Sequence, residues 1–164
     1  SNARHVERGL AKLRWMVVRD IAETDTATFW KAGTLVRDGE TRAEEIGTEV
    51  FLMPSALAGE KAGSFTNAHR LLQWHDKVVD APGESRSDLW FVEELGRRLR
   101  ALHAGSTRPQ DQALLNLRWD YPRDATGEPD AEAVLREING FDVATGKQVG
   151  SFQALKEDGS TACG

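Results

Sequence analysis

Short apolar runs alternate with polar stretches through the first half of the chain. The run Trp15–Val18 is continuously apolar and predicts a strand that is buried on both faces, as in a parallel sheet. Val50–Met53 predicts a second buried strand, which ends at Pro54. A short helix, capped by Thr24 or Thr26, and a charged excursion separate the two runs. Strand, helix and strand predict a βαβ-like unit, and therefore an α/β fold with a partly parallel sheet.

Two helices are predicted in the second half of the chain. Residues 88–103 carry an apolar stripe at helical spacing, of the kind that packs on a core. The stripe consists of Leu89, Val92, Leu95, Leu99 and Leu102. Residues 130–139 predict the second helix, which stops at Gly140.

The pattern is less decisive in three other stretches. Residues 68–79 fit either a helix or a strand, because short apolar runs are ambiguous by period alone. Residues 106–127 are rich in turn formers, and residues 141–152 predict a hairpin that turns at Thr145-Gly146. The polar tail from Lys156 onward is expected to be loose.

Length, charge and cysteine content narrow the classes of function. The 164 residues suffice for one domain of ordinary size, and no apolar run approaches the ~18 residues of a membrane span. The formal net charge of −5 argues against nucleic acid as a partner. Cys163 is the only cysteine, so neither an intrachain disulfide nor a cysteine metal pair is expected. Ser1-Asn2-Ala3 resembles a remnant of tag removal, and no signal peptide is expected.

The most informative stretch is 60–73, which reads Glu-Lys-Ala-Gly-Ser-Phe-Thr-Asn-Ala-His-Arg-Leu-Leu-Gln. A polar, glycine-containing loop that follows a strand can present backbone N–H groups and cations to an anionic ligand. The stretch resembles the segment with which molybdopterin oxidoreductases of the dimethyl-sulfoxide-reductase type hold one guanine dinucleotide end of their cofactor. Residues 15–27 and 81–90 resemble two further segments of that family at the expected distances.

The resemblance covers nearly everything from Gly9 to Gly164, and it is strongest to the large, catalytic subunit of membrane-associated formate dehydrogenases. It implies a Rossmann-like, three-layer α/β fold. It also implies an extended segment within residues 68–79, which we favour over a helix. Residues 4–104 would be part of the domain that binds molybdopterin guanine dinucleotide, and residues 105–164 a formate-dehydrogenase-type extension packed on it; residues 1–3 are the tag remnant. Such subunits are several times longer than this chain, so the resemblance implies an internal fragment that is not catalytic alone.

The resemblance also places individual residues at the cofactor. Asp20, Lys61 and Asp88 match positions that contact it, and Arg19 and Thr24 are weaker candidates beside Asp20. The chemistry agrees, because a carboxylate can accept hydrogen bonds from the edge of guanine or from ribose, and an ammonium can donate to phosphate.

Local sequence alone supports plainer interpretations of the same residues. Asp20 could cap the turn after its strand, and Lys61 could be a solvated surface cation. Asp88 could be the N-cap of its helix, in competition with Ser85 or Ser87.

For the parent protein, the resemblance implies oxidation of formate to carbon dioxide. Two electrons would pass through molybdenum or tungsten and the pterin to iron–sulfur clusters elsewhere in the parent. No catalytic or metal-binding residue, and no bound cofactor, is expected in the fragment itself. The implied partners are the rest of the catalytic subunit, an iron–sulfur electron-transfer subunit and a membrane cytochrome subunit. The implied location is the periplasm, with the cytoplasm as the alternative.

Three other functions compete with this one. Another molybdopterin oxidoreductase, such as a nitrate reductase, shares parts of the motifs. A binding or assembly module could keep the fold without the chemistry. A nicotinamide-binding Rossmann domain is disfavoured, because no Gly-x-Gly-x-x-Gly follows the first predicted strand.

Overall fold

The computed structural model describes residues 2–69, 71–117 and 119–162. The chain forms two compact units. The first contains the residues up to Leu57 together with Ala81–Arg86, and the second contains Ala58–Asp80 and the described residues from Ser87 onward. Helices and strands are mixed and one strand pair is parallel, which confirms the predicted α/β class. The predicted domain bounds, 4–104 and 105–164, stay a prediction.

A parallel pair of strands forms the sheet of the first unit. Strand β1 (Trp15–Asp20) pairs with β2 (Glu49–Pro54), in a register that sets Trp15 opposite Glu49 and Asp20 opposite Pro54. The helices of this unit are α1 (Ala3–Leu10), α2 (Phe29–Ala32) and α3 (Thr34–Arg37).

A small apolar core holds the first unit together. It contains Ala27, Phe29, Leu35 and Ala56, each at most 5% exposed. The Glu7 carboxylate of α1 accepts hydrogen bonds from the backbone N–H groups of Thr34 and Leu35, both at 2.9 Å. Two of the unpaired N–H groups at the start of α3 are thereby satisfied.

Two predictions for the first unit are wrong. The apolar strands are not buried on both faces, since Trp15 is 60% exposed and Phe51 42%. Parallel strands bury both faces only where other elements cover them, and the described part of this unit leaves these side chains open to solvent. Nor does Thr24 or Thr26 cap α2: the N-cap is Thr28, which donates its own N–H and hydroxyl to the carbonyl of Thr24, each at 3.1 Å.

The described residues of the second unit form two antiparallel strand pairs and three α-helices. Strand β3 (Gly63–Thr66) pairs with β4 (Leu72–His75), so the ambiguous stretch 68–79 contains a strand, as we favoured. The helices are α4 (Asp88–Leu102), α5 (Pro109–Leu115) and α6 (Ala131–Asn139). The predictions of α4 and α6 are confirmed, and Gly140 ends α6 with a φ of 105°.

Most of the apolar stripe of α4 is left exposed by the described residues of the chain. Leu102 is 81% exposed and Val92 51%, whereas the buried residues of the helix are Glu93 and Gly96. The periodic pattern located the helix correctly but did not say which face packs. The ring of Trp119 packs against Gly96 so closely that a Cβ there would lie 2.6 Å from Cζ3 of the ring.

The end of the chain is more ordered than expected. The predicted turn at Thr145-Gly146 is present, since the Gly146 N–H donates to the carbonyl of Asp142 at 2.8 Å. However, the strand that follows α6, β5 (Phe141–Asp142), pairs with β6 (Thr161–Ala162). The prediction of a loose tail is therefore wrong, because backbone pairing with β5 holds part of it. Cys163 lies outside the described residues.

Candidate functional site

Asp20 and Arg19 lie at the carboxyl end of the parallel pair, as predicted. An oxygen of the Asp20 carboxylate accepts the N–H of Ile21 at 2.8 Å, and the Asp20 carbonyl accepts the N–H of Ser55 at 3.0 Å. Nη2 of Arg19 donates to the carbonyl of Arg86 at 2.8 Å and lies 3.4 Å from the hydroxyl of Ser55. Arg19 of β1 thus contacts two other segments of the chain, at Ser55 and at Arg86, beside this edge of the sheet.

Lys61 and Asp88 form an ion pair in the second unit. The distance from Nζ of Lys61 to Oδ2 of Asp88 is 2.5 Å. Asp88 is the first residue of α4, where a negative charge interacts favourably with the helix dipole. The interpretation of Asp88 as the N-cap is wrong, because that place belongs to Ser87, whose Oγ accepts the N–H of Trp90 at 2.9 Å.

The loop that precedes β4 is organised by local contacts. The side-chain carbonyl of Asn67 accepts the N–H of His69 at 3.0 Å, an arrangement that shapes a turn. Arg70 of the same motif lies outside the described residues. His75 stacks on Phe65, with ring centroids 4.5 Å apart, which favours a packing role for this histidine.

A cleft of about 320 Å³ in the second unit has Lys61 and Ser87 in its walls. The opposite charges around it are largely paired with one another. Nζ of Lys77 lies 2.9 Å from carboxylate oxygens of both Asp80 and Asp124, and these contacts raise the pKa of Lys77. Burial alone would raise the pKa of Asp124, but hydrogen bonds from Thr126, Lys77 and nearby backbone N–H groups outweigh it and hold that pKa below its ordinary value.

Two residues of this site were missed by sequence analysis. The Glu128 carboxylate accepts both the N–H of Ser87, at 3.0 Å, and its hydroxyl, at 2.5 Å. Nη2 of Arg123 donates to the buried Glu93 carboxylate at 2.8 Å. The sequence does signal a turn there, with Asp124 and Gly127 in suitable places, but nothing local indicates a partner 41 residues away.

No cluster of three or more histidine, cysteine or acidic residues within the described ranges could hold a metal ion. Of the helices that the structure describes, none is long and apolar enough to cross a membrane.

Comparison with known proteins identifies the origin of the motifs. Residues 51–98, which include Lys61 and Asp88, match the family model described as molybdopterin oxidoreductase. The major subunit of formate dehydrogenase-O from Escherichia coli strain K12 is 37% identical over 94% of this chain. Over most of its length the chain is thus similar to molybdopterin oxidoreductases. The resemblance stated from the sequence is thereby confirmed.

Two further relatives agree with this assignment. The major subunit of the nitrate-inducible formate dehydrogenase of the same bacterium is 34% identical over 93% of the chain. The alpha subunit of formate dehydrogenase 2 (cytochrome c-553) from Nitratidesulfovibrio vulgaris is 34% identical over 98%. In each case the chain spans only 16% of the relative's length.

Proposed function

We propose that this chain is a segment of the catalytic subunit of a molybdenum- or tungsten-dependent formate dehydrogenase. Its contribution is part of the surface that binds the guanine dinucleotide end of the pterin cofactor. The observation that carries the proposal is the Lys61–Asp88 ion pair at the start of α4, within the segment that matches the family model. The names of the relatives support formate as the substrate of the parent protein.

The chemistry of Lys61 and Asp88 fits such a ligand. The Asp88 side chain is 66% exposed, so its oxygens can accept further hydrogen bonds from guanine N–H groups or ribose hydroxyls. The ammonium of Lys61 carries three donors, of which one serves Asp88, so it can also donate to a phosphate oxygen.

Asp20 is the third proposed contact. Its half-buried carboxylate stands at the carboxyl end of a parallel strand, where ligands bind in open α/β sheets. Arg19 and Thr24 are proposed to act beside it. The guanidinium of Arg19 holds the carbonyl of Arg86, which fixes the backbone around the Asp20 end of the sheet.

The bound cofactor would supply the metal and the electron path, and the residues of this chain would bind and orient its nucleotide end. The segment alone is therefore inactive and binds nucleotide weakly, because it offers only part of the surface. The proposed partners are the rest of the catalytic subunit, an iron–sulfur subunit and a membrane cytochrome subunit. The proposed location is the periplasm.

The proposal is tested on the longer protein that carries this sequence. The purified protein should reduce a dye with formate as the electron donor and should release GMP on acid hydrolysis of its cofactor. Asp20→Asn, Lys61→Met and Asp88→Asn should each lower the GMP released per protein, whereas the control Asp120→Asn, at an exposed aspartate outside the proposed site, should not. Activity with nitrate but not formate would instead identify the alternative enzyme, and a folded protein without pterin would identify a binding or assembly module.

A further inference from the structure

We propose that Glu128 is a positioning residue for the cofactor contact made by Asp88. Its carboxylate fixes the start of α4 and thereby sets the place from which Asp88 faces Lys61. The ligand affected is that of the proposed function, on which this inference rests, but the structural role of Glu128 can be tested separately.

Glu128 accepts two hydrogen bonds from Ser87, the N-cap residue of α4. One carboxylate oxygen accepts the Ser87 N–H at 3.0 Å and the other accepts the Ser87 hydroxyl at 2.5 Å. Ser87 is only 6% exposed, so both bonds form away from bulk water. Because the hydroxyl donates its proton to Glu128, its lone pairs point to the N–H of Trp90, which it accepts at 2.9 Å. Glu128 therefore orients the cap as well as holding it.

The turn that carries Glu128 is itself fixed. The Asp124 carboxylate accepts the N–H groups of Thr126 and Glu128 at 2.8 and 3.0 Å, and Gly127 takes a φ of 84° that favours glycine. Nζ of Lys77 holds the other oxygen of Asp124 at 2.9 Å. The carboxylate of Glu128 is thus presented from a rigid turn rather than from a loose loop.

The same turn contacts α4 at a second place. Arg123 donates one nitrogen to the carbonyl of Gly127 and another to the Glu93 carboxylate, both at 2.8 Å. Glu93 is 5% exposed and lies one and a half turns into the helix. Two anchors on one helix, at Ser87 and Glu93, restrict both its position and its rotation about its axis.

The consequence for Asp88 follows from its neighbour. Asp88 is the first residue of the helix and follows Ser87 directly in the chain, so the contacts that hold Ser87 also place the Cα of Asp88. Ser87 caps α4, and Glu128 holds Ser87 in place. The Asp88 carboxylate accepts a hydrogen bond from Lys61.

The first test measures hydrogen exchange of the Ser87 and Trp90 amides in the chain itself. Loss of a hydrogen bond to a charged group should raise these rates about tenfold in Glu128→Ala, and less in Glu128→Gln, whose amide oxygen can still accept the Ser87 N–H. Glu132→Gln is the matched control, because Glu132 is an exposed residue of α6 that pairs with Arg136. Amides of α6 report whether a variant has unfolded. Unchanged rates at Ser87 and Trp90 would overturn the inference.

The second test measures the Kd for GDP by calorimetry in the same variants. Glu128→Ala should weaken binding about tenfold when Asp88 is present and have little further effect in the Asp88→Asn background, since coupled residues are not additive. A full additional loss in the double variant, or an unchanged Kd in Glu128→Ala, overturns the positioning role. If wild type binds no GDP, the proposed function fails, and with it any role of Glu128 in ligand binding; the exchange rates still decide whether Glu128 holds the start of α4.

Discussion

Lys61 and Asp88 are 27 positions apart in sequence, yet Nζ of one lies 2.5 Å from Oδ2 of the other. The Lys61 side chain is 23% exposed and the Asp88 side chain 66%. An ion pair that is as exposed to water as this one contributes about 0–1 kcal/mol to stability, since water screens the attraction. The pair therefore adds little to folding, and the function proposed for it rests on the two charges that it presents side by side.

We predict that Asp88→Asn changes the free energy of unfolding by less than about 1 kcal/mol. The measurement is urea unfolding of the chain, with Asp120→Asn as the control at an exposed aspartate of the same unit. A loss of several kcal/mol in Asp88→Asn alone would mean that the residue is structural, and the binding role proposed for it would lose its support.

The Arg123–Glu93 pair should respond asymmetrically to mutation. Arg123→Met leaves a carboxylate buried without its cation and should cost about 3 kcal/mol, the lower end for a broken buried pair. Glu93→Gln should cost less, because Arg123 is 34% exposed and its lost contact can be replaced by water. The two losses are compared by measuring the free energy of unfolding of both variants in urea. A larger loss in Glu93→Gln than in Arg123→Met would contradict the burial assigned to the two side chains.

Gly96→Ala should destabilise the protein although alanine is the better helix former. The added Cβ would lie 2.6 Å from the ring of Trp119, and overpacking of this kind costs about 1–3 kcal/mol, more than the ~1 kcal/mol gained in helix propensity. Gly9→Ala in α1 is the matched control, since nothing lies within 4 Å of its Cβ position, and it should stabilise. Trp119→Leu should lessen the effect of Gly96→Ala. Equal melting temperatures for the two alanine variants would refute the close contact.

Stability should fall with acid partly through Glu94. Hydrogen bonds from Arg97 and then Arg98 outweigh burial and lower the pKa of Glu94 from 4.5 to about 2. A carboxyl whose pKa is lower in the folded state stabilises above its unfolded pKa and loses that contribution as the pH falls from about 4.5 towards 2. The urea midpoint should thus drop less between pH 5 and pH 3 in Glu94→Gln than in wild type. The difference should shrink in high salt, because both arginines are more than half exposed. Identical drops would show that Glu94 is not shifted.

The elements of this fold were largely predictable from local signals, and so was the parallel pair of β1 and β2. The contacts between elements of the second unit were not. For helix α6, the sequence contains recognisable signals at both ends: Asp130 as the N-cap and Gly140 as the stop. Helix α5 was missed, although Pro109 at its first position is a recognisable start signal. The pairing of β5 with β6 joins residues about twenty positions apart, and two-residue strands carry no pattern of their own.

Burial was predicted less well than secondary structure. A stripe such as Val92, Leu95 and Leu99 shows that a helix is amphipathic, but what covers the stripe depends on chain that is distant in sequence. The chain spans 16% of the length of its relatives, so its apolar faces need not be covered by its own residues. In the candidate site, resemblance named Lys61 and Asp88 separately, and only the structure shows that they pair and that Glu128 holds the helix start.

The measurement that tests the central proposal most directly is a calorimetric titration of this chain with GDP, and with ADP for comparison. The account predicts weak but saturable binding of GDP, with a Kd on the order of 1 mM, corresponding to about −4 kcal/mol. GDP should bind more tightly than ADP, and Asp20→Asn and Asp88→Asn should each weaken GDP binding about tenfold, whereas Asp120→Asn should leave it unchanged. An absence of saturable binding, or equal affinity in wild type and both site variants, would contradict the assignment of these residues to the nucleotide end of the cofactor.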